Sequence, residues 1–551
     1  MKHSPHCKSH CFASCLYDGR STAVRSILAG CALAALTFST ATAANVAWTN
    51  NGSDWGTSTN WSPNDVPDTN ADIATITSPT VNPDIGTSDY TIKTLNFGPS
   101  TGSFSIDGSG TLTLDANNAS SANVVFMGPN NASIEINPSV IINNSLGGRS
   151  LLSIGSGSLS FQSQVSFGGT VQQTSGTVNF NNTLSLGSGS NYQITEGGTM
   201  NLNLASSGST GNASALLWAQ NGSINVYSLG DLGSTGAQLR VGSNTASSAN
   251  LILKSSGLQV GNAVAVQGGT SATGVVSIGA DIDGAGQAEY TGSVDLNNFG
   301  SSNRVIKLTA GTDDTTSFSG NLTNTAAPDA GSEVQVAGGG TVVLSGDGNT
   351  YSIDTRVTEN TSLLVENSGL TSATGTGDVT VDEGSLLGGN GRVSGLVTAA
   401  GSGSVISAGN ESMSGGVGTL SMAGGFDAAS GASFVFDLNG ASGDDQIAVD
   451  GSFSGGSSGW VFYFDNLGEG TLAAGEEVTI VIASGGFDGV TAADFDSAII
   501  NYSGGLSGAD FGIYGNELRV SFASVPEPGY SALAVVGFVV LAGLRRFRAR
   551  R

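Results

Sequence analysis

Few residues in this chain are equipped for chemistry, and most of them are carboxylates. Three pairs stand close in sequence: Asp281 and Asp283 within DIDG, Asp313 with Asp314, and Asp444 with Asp445. Two carboxyl groups flanking one bond are the machinery of glycoside cleavage, one protonating the leaving oxygen while the other attacks or activates water. Adjacent acids in a strand point to opposite faces, so the last two pairs are poorly placed to share a bond. Asp281 and Asp283 can share a face, which also suits calcium. All three pairs sit beside Gly, Ala or Thr, where a solvated turn acid is the plain reading. The four cysteines (Cys7, Cys11, Cys15, Cys31) and three histidines (His3, His6, His10) all lie within the first 31 residues. If that segment is removed, the remainder has no Ser-His or Cys-His nucleophile, no cysteine or histidine metal site and no disulfide.

The beginning of the chain supports that removal. Lys2, Lys8, Arg20 and Arg25 precede an apolar run from Ile27 to Phe38, and Ala41-Thr42-Ala43 follows. This is the order of a secretory signal, engaged by the Sec translocon and cut after Ala43, with Ala41 and Ala43 as the small residues of the cleavage site. The mature chain would begin at Ala44 or Asn45. Leu28-Ala29-Gly30-Cys31 offers a competing lipoprotein cut, though Cys31 comes early in the apolar run. Between residues 45 and 524 there are 9 basic and 41 acidic residues, a formal charge of −32. Such a chain repels nucleic acid and anionic lipid.

The chain ends VPEPGYSALAVVGFVVLAGLRRFRARR. Pro526 and Pro528 stop any preceding strand or helix. The apolar run Tyr530 to Leu544 would span roughly 22 Å as a helix, and the arginines after it snorkel and hold the end in the cytoplasm. Val525, Pro526, Glu527 and Pro528, followed by the apolar run and by Arg545, Arg546 and Arg548, resemble the PEP-CTERM sorting signal of Gram-negative bacteria. That resemblance implies recognition by a membrane protease-transpeptidase, exosortase. It also implies transient inner-membrane anchoring through a transmembrane helix at 530–544, and delivery to the cell surface or extracellular matrix in the company of exopolysaccharide. A plain C-terminal membrane anchor is the alternative.

Between the two ends, glycine supplies 83 of 551 residues, and short segments alternate apolar with polar. Tyr90 to Phe97, Thr111 to Asp115, Ser133 to Asn137 and Thr199 to Leu204 are examples, each with the period of a half-buried strand. Many short strands with glycine turns suit a solenoid, in which each coil buries its apolar face against its neighbours. About 20 coils at roughly 4.8 Å would make a rod of about 100 Å. Two or three packed β-sandwiches are the other arrangement.

Near the start, Trp48, Trp55, Asn60-Trp61, Pro67 and Asp72 form a pattern similar to the N-terminal motif of bacterial surface proteins with autotransporter-type repeats. Its tryptophans either stack on sugars or cap the first coil. Residues 338–365 resemble the autotransporter-associated β-strand repeat through Leu344-Ser345-Gly346, Asn349-Thr350-Tyr351, Thr355 and Leu363-Leu364-Val365. Ser352-Ile353-Asp354 departs from that pattern. The resemblance implies a right-handed, extracellular parallel β-helix and brings no catalytic residues. After 433 aromatics thicken (Phe434, Phe436, Trp460, Phe462, Phe464), as in a denser core or a lined pocket, and Thr491 to Asp496 is a short helix candidate.

The resulting expectation is an all-β chain. Its parts are a signal peptide at 1–43, a Trp-containing cap at 44–90, a β-solenoid at 91–432, a β-rich closing unit at 433–524 and a sorting signal at 525–551. Its role would be structural or adhesive, with a carbohydrate-binding surface protein and a polysaccharide-degrading enzyme as alternatives. No cofactor or metal is expected.

Overall fold

Alternation with period two, punctuated by glycine, produces short strands that pair with the strand one coil further on. The computed structural model describes residues 44–524, apart from 99–101, 116–121, 128–132, 145–147, 269–272, 297–303, 328–330, 410–415, 468–471 and some shorter loop segments. Coil by coil the chain visits three sides. Thr94–Phe97 lies on the first, Phe104–Ile106 on the second and Thr111–Asp115 on the third, before Ala122–Met127 returns to pair in parallel with Thr94–Phe97. Sides one and two join into a 27-stranded sheet. The join is made by Arg149–Phe161 and Thr170–Phe180, longer than the short segments the sequence suggests, which bend from one side to the other without ending. Gly155 and Gly176 occupy the corner at φ 63° and 67°. A Cβ at Gly176 would stand 2.7 Å from Ile154 Cγ2, so only glycine fits there.

Side three is a five-stranded sheet from Tyr90–Ile92 to Leu184–Leu186, and it resumes as a ten-stranded sheet from Leu258–Val260 to Ile499–Tyr502. Strands on side one stop at Leu322–Thr323, and a six-stranded sheet enters the coil order in their place at Arg392–Val393. In the interval, side chains replace strand backbone. Asn349 Oδ1 accepts from Leu322 N (2.7 Å) while its Nδ2 donates to the Ala373 carbonyl (2.6 Å). Asn367 Oδ1 then accepts from Arg392 N (2.8 Å). The first of these asparagines opens the Asn-Thr-Tyr motif, so the motif's amide holds three coils together where no strand does.

Inward positions carry aliphatic and aromatic residues in columns. Tyr290 and Phe318 stack at 5.0 Å, as do Phe434 and Phe462, each pair one coil apart. Each such side chain contributes about 1.5–3 kcal/mol of burial. The named strands between Ile73 and Tyr502 pair with one another in parallel, whereas packed β-sandwiches would need antiparallel sheets. The chain is therefore nearly all β, with long parallel sheets in the pattern of a β-solenoid.

The coils pass residue 433 without a break: Ser433–Leu438 pairs in parallel with both Val405–Ala408 and Val461–Asn466. The pairing pattern changes later, where Leu506–Tyr514 and Glu517–Ser524 form an antiparallel hairpin. Just before it, Ala492–Asp496 is a helix with Thr491 and Asp494 as a reciprocal capping box. Among the described residues no helix is long and apolar enough to cross a membrane.

Candidate functional surface

Ala41, Ala43, Val525, Pro526, Glu527, Pro528, Arg545, Arg546 and Arg548, together with the segment 530–544, lie outside the described residues. What the structure does place is the tryptophan motif, the acids and the outward faces of the coils.

The three N-terminal indoles are buried and edge-packed, with Trp61 centred 5.0 Å from Trp48 and 4.7 Å from Trp55. Each indole N–H donates to a backbone carbonyl: Trp48 to Val81, Trp55 to Pro67 and Trp61 to Trp55. No ring is left to stack on a sugar. Trp61–Ser62 pairs antiparallel with Asn45–Trp48, covering the edge of side one. Asp72 fastens this end. Its Oδ1 accepts from Ala44 N (2.9 Å) and its Oδ2 from Thr69 N and Oγ1. Burial opposes ionisation of Asp72, but the donors from Ala44, Thr69 and Asp68 outweigh it and hold the carboxyl below the usual range.

Three of the six candidate acids, Asp314, Asp444 and Asp445, accept from backbone N–H groups. Asp314 is buried and accepts from Ile282 N (2.8 Å) and Gly286 N (3.1 Å). Asp445 is buried and accepts from Gly418 N and Asp437 N, and Asp444 accepts from Asn439 N and Gly440 N. Asp281 follows the strand Val275–Ala280 and makes a 2.6 Å ion pair with Lys254, while Asp283 is exposed. None of the three pairs converges on a shared bond. No group of three or more metal-ligating side chains occurs among the described residues.

The outward face of side two carries one unbroken column of register partners. It runs from Ser133 through Ser158, Thr177, Thr199, Ser223, Asn250 and Ser277 to Lys307, Arg356, Thr398 and Asp488. Beside its first half an amide ladder runs across four coils. Asn179 donates to Ser160 Oγ (2.9 Å), Asn201 to Asn179 Oδ1 (2.7 Å) and Asn225 to Asn201 Oδ1 (2.9 Å). In the second half, cations pair across coils, Lys307 with Glu359 (2.7 Å) and Arg356 with Asp382 (2.7 Å), and on the six-stranded sheet Arg392 pairs with Asp450 (2.9 Å). Within the column itself Ser158 donates to Ser133 Oγ (3.0 Å) and Asn250 to Ser223 Oγ (3.0 Å), so both halves carry bonds between coils.

Two basic residues depart from this pattern, and no local sequence signal marks either. Arg304 is buried, donating through Nη2 to the Ser243 (2.7 Å) and Thr245 (3.2 Å) carbonyls, and burial pushes its guanidinium down to about 10. Lys93 lines an outward cavity of about 320 Å³ on side one with Ile73, Thr94, Asn96, Asn123 and Phe126. No known family model matches this chain, and no curated protein does.

Proposed function

We propose that this chain is an exported structural or adhesive protein of the cell surface or extracellular matrix, built as a right-handed parallel β-helix with a β-rich closing unit. A Sec-dependent signal ending at Ala43 delivers it, and an exosortase acts on Pro526-Glu527-Pro528 while the segment 530–544 holds the tail in the inner membrane. The observation that carries the structural role is the outward face of side two, where the Ser133–Ser158 and Ser223–Asn250 hydrogen bonds, the asparagine ladder and the Lys307 and Arg356 ion pairs tie one coil to another. A surface of that kind stiffens the stack and stays hydrated. Its acidic excess, −32 over residues 45–524, keeps such an exterior body soluble and away from nucleic acid. A carbohydrate-binding role is the second reading, favoured by the cavity beside Phe126.

The sorting claim is tested by replacing Pro526, Glu527 and Pro528 with alanine in the full chain. The wild type should be recovered from the surface or the medium, and the triple variant from the inner-membrane fraction. An unchanged distribution would remove the triplet from the mechanism.

A further inference from the structure

The strand Ala122–Met127 breaks its own alternation. Val124 and Val125 are both buried, leaving Asn123 and Phe126 outside. The cause is a slip in register against Arg149–Phe161, where Leu151 pairs with Asn123 but Leu152 pairs with Val125. Such a bulge re-aims the side chains around it. Here it places the Phe126 ring, 42% exposed and without an aromatic neighbour, beside Asn96, its register partner on the preceding coil. Asn123 Oδ1 is taken by Ser153 Oγ (3.0 Å), which leaves its Nδ2 for another acceptor. Asn96 Nδ2 is held by Thr75 Oγ1 (3.3 Å), and its Oδ1 has no partner among the described residues.

Lys93 completes the cavity. The other basic side chains among the described residues each have an ion pair, a hydrogen bond or a ring contact. Lys93 has none, although the chain around it is strongly acidic. Asp72, the nearest acid in the coil order, is saturated by Ala44, Asp68 and Thr69.

We propose that this cavity is a binding site for an acidic sugar residue of a polysaccharide. Phe126 offers its face to the ring C–H groups, the Asn123 amide takes a hydroxyl, and Lys93 pairs with the carboxylate. The volume of about 320 Å³ suits one or two sugar units. An open, shallow floor with a single aromatic fits a ring within a chain that continues past the site. The inference deepens the matrix reading and rests on it.

The test uses the protein as recovered from its native surface, with an oligogalacturonide and its carboxyl-reduced neutral form as probes. Saturable binding of the acidic probe should weaken about ten-fold or more in Lys93→Gln and in Phe126→Ala, and return in Lys93→Arg. The neutral probe should bind more weakly and ignore Lys93→Gln. Unchanged circular dichroism in each variant shows that the coils remain intact. Equal binding by wild type and Lys93→Gln overturns the site, as does Lys93-dependent capture of polyglutamate with no affinity for the oligogalacturonide. Co-sedimentation with the native matrix polysaccharide separates the two levels. Retention that survives both substitutions sinks the site and spares the matrix reading, whereas no retention by the wild type sinks the matrix reading itself.

Discussion

At the N-terminal end, Asn45–Trp48 has a parallel neighbour on one side and the antiparallel two-residue strand Trp61–Ser62 on the other. At the C-terminal end, Glu477–Ala483 is covered by the antiparallel strand Glu517–Ser524, itself paired with Leu506–Tyr514. Both ends close a parallel edge by reversing direction, but with different materials. The first cap is three indoles whose N–H groups are tied to backbone carbonyls, so few residues fix it by burial and hydrogen bonding together. The second is a long hairpin over a phenylalanine cluster that includes Phe462, Phe464, Phe495, Phe511 and Phe522, held by contact area. The second is also less complete. Ile499–Tyr502 keeps an uncovered edge in the ten-stranded sheet, with Ile499 60% exposed. The indoles close their edge with a two-residue strand, whereas the phenylalanine cluster takes a long hairpin.

Substitution and pH each set the two caps apart. Trp61→Ala and Phe462→Ala should each cost about 3–5 kcal/mol in denaturant titration. Hydrogen exchange should place each loss at its own end, because coils contact only their neighbours. Loosening at the far end in either variant would show that the caps are not independent. Alkali addresses the middle of the stack. Burial raises the pKa of Tyr192, Tyr290 and Tyr351, and neither cap holds a fully buried phenol. Their folded pKa values exceed the ordinary value near 10, so the stability they lend is complete below that pH and lost as pH rises above it. Exchange at pH 11 should rise in the coils around Tyr192, Tyr290 and Tyr351 before either cap responds.

Acid addresses the first cap. Asp72 titrates below its ordinary range, so its contribution is present above about pH 4 and is lost as pH falls through its lowered value. Asp72→Ala strands the Ala44 and Thr69 amides and should cost about 1–3 kcal/mol. If the chain is cut after Ala43, the Ala44 amide becomes an ammonium beside this carboxylate, and the cost should grow in the processed protein. The smallest effect belongs to the exposed pair Arg392–Asp450, where Arg392→Ala should change stability by about 0.2–1 kcal/mol and less in high salt.

The period-two segments are legible in the sequence because one face of each strand is buried, and the short helix expected at Thr491 to Asp496 is found at Ala492–Asp496, with Thr491 and Asp494 as its capping box. Aromatic density rises near 433, but Phe434 and Phe436 belong to ordinary parallel coils, and the reversal waits until Leu506. The corner strands at 149–161 and 170–180 were hidden because a bend through Gly155 and Gly176 looks, in sequence, like a turn between two strands. The Lys93 cavity was hidden for a similar reason. A bulge is a relation between Asn123 and Leu151, 28 residues apart, and no local pattern records it.

The central claim, an exterior solenoid delivered by one terminal signal and sorted by the other, is tested most directly by the intact mass and terminal peptides of the protein recovered from its native cell surface and medium. A chain running from Ala44 or Asn45 to a point near Pro526 is the predicted result. A chain that still begins at Met1 or still ends at Arg551 would contradict the account.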